Sequence, residues 1–357
     1  IYLSKLGVDI TVVSKGKIDT QSKLPFSRVG SPEFKPKIFS DLLLVIKLYQ
    51  FLLRNRNQLD LVHIHSFGLL GEVACRIASW FGLPVIIKVP SGGKYGETMS
   101  HIKMREFLGN FSVSYPKKFI AISTEIRHEL LELGVCNQNI IDIPNGIVVE
   151  QKNLENSIND NVKLKFLNLY GVPSGMKVFA YFGRIASYKG IQYLLKSWRD
   201  MDSDFHSKHH LIICGPISID SPYEIKQDQV QDLKNVTLIK NVIAKDILFR
   251  SIDVLVLPSL AEGMPNVVME AIIYGKPIIA TTVGAIPNLL LEGEGGVLVE
   301  PGDARDLSKA LLLVSQMTQK QVATLTRNSF LGLKRFDMRL ISKEIYELYL
   351  SIIQQNY

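Results

Sequence analysis

One rhythm constrains this chain more than anything else in it. Short runs rich in Ile and Val, each bounded by polar or turn residues, alternate with longer segments of helical periodicity. In the first half the runs are LVHIHS (61–66), PVIIKVP (84–90), KKFIAIS (117–123) and IIDIPNGI (140–147). In the second they are KVFAYFGRI (177–185), HLIICG (210–215), NVTLIK (235–240), VLVLPS (254–259), KPIIATT (276–282) and GVLVEP (296–301). Runs this short and apolar are buried on both faces, and such strands alternating with helices build a parallel, doubly wound sheet. The helical segments carry their own punctuation. LLGEVACRIASWFG (69–82) is one, and STEIRHELLELG (123–134) opens on a Ser/Thr cap and stops at Gly134.

The rhythm is broken once. Residues 149–176, opening VVEQKNLENSINDN, are polar and irregular and make the best linker. A chain of 357 residues suits two domains at roughly 100–200 residues each. The expected fold class is therefore α/β, with one parallel-sheet domain over 1–155 and a second over 156–339. MRLISKEIYELYLSIIQQ reads as an amphipathic helix near the end of the chain, over 340–357. The opening IYLSKLGVDITVVSKG reads as the end of a helix, a turn at Gly7 and a strand over 10–13. An α/β domain ordinarily places a strand and a loop before such a helix, so the first strand is expected to lie outside this chain.

Composition narrows the partners without choosing one. Charged residues are 21% and hydrophobic residues 46%, ordinary for a globular protein, and the net charge is +7. That excess suits nucleotide diphosphates, nucleic acid or an anionic membrane face. No RNA- or DNA-binding motif is visible, so nucleic acid is not an expected partner. Cys75, Cys136 and Cys214 are far apart with no CxxC spacing. They read as reduced thiols of a cytoplasmic protein rather than a disulfide framework or zinc site. No apolar run reaches the ~18 residues of a membrane span, and no signal peptide is seen.

The densest chemical signal is PSLAEGMPNVVMEAIIYGKPIIAT, 258–281. A strand leads into a Gly/Pro loop, and a helix begins near Asn266. A helix start presents free N–H groups and a positive dipole end, which suits a phosphate. Glu262 in the loop and Glu270 one turn into the helix are acceptors for hydroxyl pairs. The second signal is FGRIASYKG, 182–190. Arg184 and Lys189 lie just beyond a strand's carboxyl end, where ligands of open α/β sheets bind. A guanidinium fork and an ammonium together suit a diphosphate.

With IDIPNGI, these segments resemble the retaining glycosyltransferases of family 4, which have the GT-B fold. The order also matches, from AIST, LLELGV and IPNGI through FGRI, LIICG, SIDVLVLPS and EGMPN to GKPIIATTVGAIPNLL and GGVLVEPGD. The resemblance runs from about Leu3 to the C-terminus and is most specific in the second half. It implies two Rossmann-like domains facing a cleft, a nucleotide sugar mainly on the second, an acceptor mainly on the first, and a final helix returning to the first. It implies transfer with retention, no metal and no cofactor beyond the donor, a UDP- or GDP-sugar. Arg184 and Lys189 are then expected to hold the diphosphate, Glu262 the sugar and Glu270 the ribose. Gly183 and the backbone of Gly263, Met264, Pro265, Asn266 and Val267 are expected to line the donor, with Val242 near the base. Bottom-up chemistry agrees: a departing diphosphate gathers negative charge, which fixed cations and a helix start stabilise.

The first half departs from the family pattern. The family's glycine loop after the first strand is absent from this chain. Where many members carry a His after the strand matching PVIIKV, this chain has Pro90, then Ser91, Gly92 and Gly93, and either Lys88 or the Ser91–Gly93 backbone is expected to serve the local role. His63 and His65, two apart on a strand, share a face and await either a structural, an acceptor-side or a metal role. KPKIFSDLLLVIKLYQFLLRNR (35–56) is an apolar helix with basic ends, which either packs on the first sheet or docks peripherally on an inner membrane face. The expected function is hexose transfer to a glycan or lipid-linked acceptor in cell-surface polysaccharide or glycolipid synthesis. A GT-B sugar-nucleotide epimerase and an inactive nucleotide- or glycan-binding relative are the alternatives.

Overall fold

The computed structural model describes residues 2–15, 26–32, 37–92, 96, 118–149, 160–216, 233–240 and 245–355. The chain divides into two compact units, Ile1–Gly146 with Met338–Tyr357, and Ile147–Asp337.

The second unit is built on one parallel sheet. Its strands are β7 (Lys177–Phe182), β8 (His209–Cys214), β9 (Val236–Ile239), β10 (Val254–Leu257), β11 (Ile278–Thr281) and β12 (Val297–Val299). The order is β12-β11-β10-β7-β8-β9. From β7 the chain winds outward through β8 to β9, and from β10 it winds the opposite way through β11 to β12. The switch point therefore lies between β7 and β10, which pair directly at Phe179 and Val254. Helices cover both faces, so the strands are buried on both. Every residue of β10 is buried, as are Val178 to Phe182 of β7. Phe179 packs edge-on against Trp198, whose ring nitrogen donates to the Lys234 carbonyl. Each large side chain sunk this way contributes about 1.5–3 kcal/mol.

The expected linker over 149–176 is corrected in part, because Asp160–Leu169 is a helix. Its sequence, DNVKLKFLNL, spreads its apolar residues around the helix, leaving Val162, Leu164 and Leu169 exposed, so no sharp apolar face declares it. It is held by tertiary contacts: Leu167 is buried and Lys163 forms a 3.0 Å ion pair with Asp253, just before β10.

In the first unit β1 (Thr11–Lys15) pairs with β2 (Ser27–Ser31), and β3 (Val62–Ile64), β4 (Val85–Val89), β5 (Lys118–Ala121) and β6 (Ile140–Asp142) form a second parallel sheet in that order. Among the described residues no strand joins β1 to β3. Both instead border one cavity of about 290 Å³, closed by Leu44, Leu48 and Leu52 of the long helix Lys37–Asn55. Ser123 caps the helix Thr124–Glu132 by accepting from the Ile126 N–H, and Gly134 supplies the left-handed turn after it. The final helix, Met338–Gln354, belongs to this unit, where Tyr349 meets His63.

Candidate active site

The two loops flagged by sequence leave adjacent strands on either side of the switch point. β7 runs into Gly183, Arg184 and Lys189; β10 runs into Pro258, Ser259 and Glu262. They are fastened together. The Leu260 N–H donates to the Tyr188 carbonyl at 2.8 Å. Gly190, at φ +70°, lies so close that a Cβ there would stand 1.7 Å from the Pro258 carbonyl oxygen, so only glycine fits.

The centre of the site is an ion pair between these loops. Lys189 Nζ donates to Glu262 Oε1 at 2.6 Å, and Ser259 Oγ donates to the same oxygen at 2.6 Å. The Glu262 side chain is 8% exposed and that of Lys189 19%, so the pair is largely withdrawn from water. Thr281, closing β11, donates to the Ser259 carbonyl at 2.6 Å and so fixes the serine. A third loop braces the carboxylate from behind. Gly284 (φ +58°) packs where a Cβ would meet the Glu262 carbonyl at 2.2 Å, and the Ala285 N–H donates to the Gly263 carbonyl at 2.8 Å. Burial, and then the Glu262 charge, push the Tyr181 phenol well above its ordinary pKa. It stays neutral and donates to the Arg184 carbonyl at 2.7 Å.

Arg184 itself is exposed, and its guanidinium has no hydrogen-bonding partner among the described residues. The structure thus unites Lys189 with Glu262 and leaves Arg184 open. Gly263, Met264 and Pro265 are buried under the loop, and the helix Asn266–Ile273 begins there with no side-chain cap. The N–H groups of Asn266 and Val267 have no acceptor among the described residues, which leaves them for an anion. Glu270 is half-buried. Lys245 donates to its Oε1 at 2.6 Å, while its Oε2 is buried with no partner among the described residues. Val242 lies outside the described residues.

Sequence reasoning did not single out Ser259, Tyr181, Gly190, Gly284 or Lys245. The only signal for the glycines was that each follows a strand end; the partners of Glu262 and Glu270 come from segments distant in sequence and carry no local mark.

In the first unit His63 and His65 stack with ring centroids 4.4 Å apart, and His63 Nδ1 lies 2.6 Å from the Tyr349 hydroxyl. Burial first, then neighbouring positive charge, lowers both imidazoles, and burial lowers Lys88 to about 8. Among the described residues no group of three potential metal ligands forms, so the pair has no third partner for a metal.

Similarity to known proteins follows the same division. Residues 1–151 match the family described as Glycosyltransferase Family 4, and residues 176–316 match Glycosyl transferases group 1. The capsular polysaccharide biosynthesis glycosyltransferase CapM of Staphylococcus aureus is 26% identical over 355 residues, 97% of this chain and 90% of the relative. The UDP-Gal:alpha-D-GlcNAc-diphosphoundecaprenol alpha-1,3-galactosyltransferase of Escherichia coli is 26% identical over 332 residues, 88% of this chain and 81% of that enzyme. Among solved structures, Anabaena Alr3699/HepE in complex with UDP-glucose superposes with a TM-score of 0.73 at 18% identity, covering 91% of this chain and 86% of that one. Sucrose-phosphate synthase of Thermosynechococcus elongatus gives 0.76 at 18% identity, covering 99% and 91%. These two likenesses are of fold. With both units matched and relatives aligned along nearly its whole length, the chain belongs to the family-4 glycosyltransferases of the GT-B fold.

Proposed function

We propose that this enzyme transfers a hexose, with retention, from a UDP- or GDP-sugar on the second unit to a glycan or lipid-linked acceptor on the first, in cell-surface polysaccharide or glycolipid synthesis. The observation that carries the reading is the switch point of the second unit. There an unpaired guanidinium, a buried Lys189–Glu262 pair and an uncapped helix start follow β7 and β10. In the reaction the bond from the anomeric carbon to the phosphate oxygen breaks, a bond to the acceptor oxygen forms, and the acceptor proton leaves with the diphosphate. Positive charge fixed where the diphosphate departs stabilises that change without rearranging. Arg184, Lys189 and the Asn266 and Val267 amides supply it. Glu262 takes sugar hydroxyls with the oxygen that Lys189 and Ser259 do not occupy.

Glu270 is assigned to the ribose because Lys245 holds one carboxylate oxygen while the other has no partner among the described residues. A ribose contact is the same in ground and transition states, so it changes binding and not turnover. Calorimetry with UDP and with GDP tests this. The wild type should bind one of them, and Glu270→Gln should weaken it about tenfold, the scale of one hydrogen bond to a charged group. Binding of neither nucleotide by the wild type would remove the proposal.

A lipid-linked acceptor is favoured by the outer face of the helix Lys37–Asn55. Its inner face closes the cavity of the first unit. Its outer face, which packing should have left polar, exposes Ile38 (70%), Phe39 (58%), Leu42 (56%), Ile46 (43%) and Leu53 (52%). Tyr49 of the same helix meets Trp80, itself 78% exposed, and Arg54 and Arg56 are exposed at its end. An apolar stripe with an aromatic flank and a basic end fits an anionic bilayer surface. The named substrate of the Escherichia coli relative, a diphosphoundecaprenol-linked sugar, supports the same reading. The enzyme should co-sediment with phosphatidylglycerol vesicles. Replacing Ile38, Leu42 and Ile46 by Ser should reduce that binding at least about tenfold, since each loses about 1.5–3 kcal/mol of apolar burial. Equal sedimentation of both proteins would show that the stripe does not meet lipid.

A further inference from the structure

Three basic side chains of the first unit stand together with no acid paired to them among the described residues. His63 and His65 lie on one face of the strand end and their rings stack at 4.4 Å. β3 and β4 run parallel with Ile64 opposite Ile87, so His65 and Lys88 are the next residues on neighbouring strands. Lys88 is half-buried, and its ammonium has no hydrogen bond or ion pair among the described residues. Positive neighbours, not carboxylates, are the charges that act on the two imidazoles. Of the nearby acids along the chain, Asp60 is exposed ahead of β3, and Glu72 is buried and engaged by Arg76 at 2.9 Å.

The hydrogen bonds of His63 point the same way. Its Nδ1 faces the Tyr349 hydroxyl, which has no other partner among the described residues. Burial pushes that hydroxyl up to about 12, so it stays protonated beside Nδ1. The other ring nitrogen, Nε2, is buried without a partner among the described residues. Directly after His65 the chain turns into the helix Leu69–Trp80, whose cap residue, Gly68, offers no side-chain acceptor. The turn is tight: a Cβ on Gly71 would lie 2.2 Å from the Ser66 carbonyl oxygen. Two basic strand ends, an unmet imidazole nitrogen and an uncapped helix start thus converge after β3. This place borders the break between β1 and β3, from which the strands of the first unit run outward in both directions. It corresponds to the switch point that the donor loops occupy in the second unit.

We propose that His63, His65 and Lys88 form an anion site on the first unit that binds the phosphate or diphosphate of the acceptor. An ammonium drawn out of water with no counter-charge is costly, and a bound anion removes that cost. The inference rests on the reading that the first unit holds the acceptor, and it narrows the acceptor to phosphate-bearing molecules.

The test is a titration of the full chain, labelled at histidine, with inorganic pyrophosphate, followed by NMR of the imidazole signals over pH. Bound pyrophosphate should raise the apparent pKa of His63 and His65, since an anion favours their charged forms. The response should weaken about tenfold or more in Lys88→Gln, the loss of one charge-assisted contact, and persist in Arg184→Ala. Imidazoles that ignore pyrophosphate in the wild type would overturn the site, and this outcome needs no variant to fold. A response that follows Arg184 and not Lys88 would overturn it too, by assigning the anion to the donor unit. Calorimetry with UDP and with GDP on the same samples separates the two readings. Lost imidazole response with intact binding of either nucleotide ends this inference alone; intact response with binding of neither ends the transferase reading alone.

Discussion

Glu262→Gln is expected to lower kcat about 10²–10³-fold, the scale on which preorganised charge at a reacting centre acts. Binding of the free nucleoside diphosphate should stay close to wild type. The carboxylate accepts from both Lys189 and Ser259 at 2.6 Å, and it is 8% exposed. The amide keeps the shape and removes the charge, so Lys189 loses its counter-ion and the sugar loses its acceptor as positive charge grows at the anomeric carbon. Lys189→Met should show a second effect. It leaves the Glu262 carboxylate, the more buried partner at 8% exposed against 19%, with Ser259 alone, and breaking a buried pair from one side costs about 3–5 kcal/mol, most where the stranded charge cannot reach water. The melting point of Lys189→Met should therefore fall below that of Glu262→Gln, by about 2–4 °C per kcal/mol for a unit of this size. Initial rates with the matching donor and thermal melts of both variants check this. Turnover by Glu262→Gln within about threefold of wild type would fall far short of the loss that charge removal predicts and would take Glu262 out of the site.

Much of this arrangement was legible before any coordinates. Strand ends in a parallel sheet are where ligands bind, so FGRIASYKG and PSLAEGMPN could be placed at one end of the sheet from the hydrophobic rhythm alone. The Ser123 cap and the Gly134 stop were equally plain, because capping is local chemistry written in a few adjacent residues. The pairing of Lys189 with Glu262 was not. Sequence assigned Lys189 to the diphosphate; its contact with a carboxylate 73 residues away depends on β7 and β10 being neighbours, which follows from strand order and not from either segment. The helix Asp160–Leu169 hid for the opposite reason. Its intrinsic pattern is weak, and Leu167 and the Lys163–Asp253 pair hold it in place. The helix Lys37–Asn55 was found, but periodicity could not choose between burial and exposure for its apolar residues. The fold assigns one face to each.

Arg184→Ala should separate binding chemistry from stability more cleanly than any other change in this protein. The backbone around Arg184 is pinned: the Tyr181 hydroxyl donates to its carbonyl at 2.7 Å, the Gly183 N–H to Cys214 at 3.0 Å, and the Ile185 N–H to Pro216 at 2.9 Å. The side chain, by contrast, is exposed and has no partner among the described residues. Truncating it removes no hydrogen bond or ion pair among the described residues, so stability should change by no more than about 0.5 kcal/mol. Function should respond differently. A guanidinium held ready on a fixed backbone meets a diphosphate with two parallel N–H donors and pays little to orient them. Losing that contact, and its strengthening as the diphosphate departs, should cut kcat/KM for the donor about 10²-fold. Arg184→Lys should recover part of this, because an ammonium keeps the charge but not the fork. Arg184→Ala combined with Lys189→Ala should cost less than the product of the single losses, since both cations serve one leaving group. Melts and donor kinetics on the same preparations decide the matter. An Arg184→Ala protein that melts several degrees early would place the guanidinium in the fold, and one that turns over donor at the wild-type rate would leave the diphosphate to Lys189 and the helix start alone.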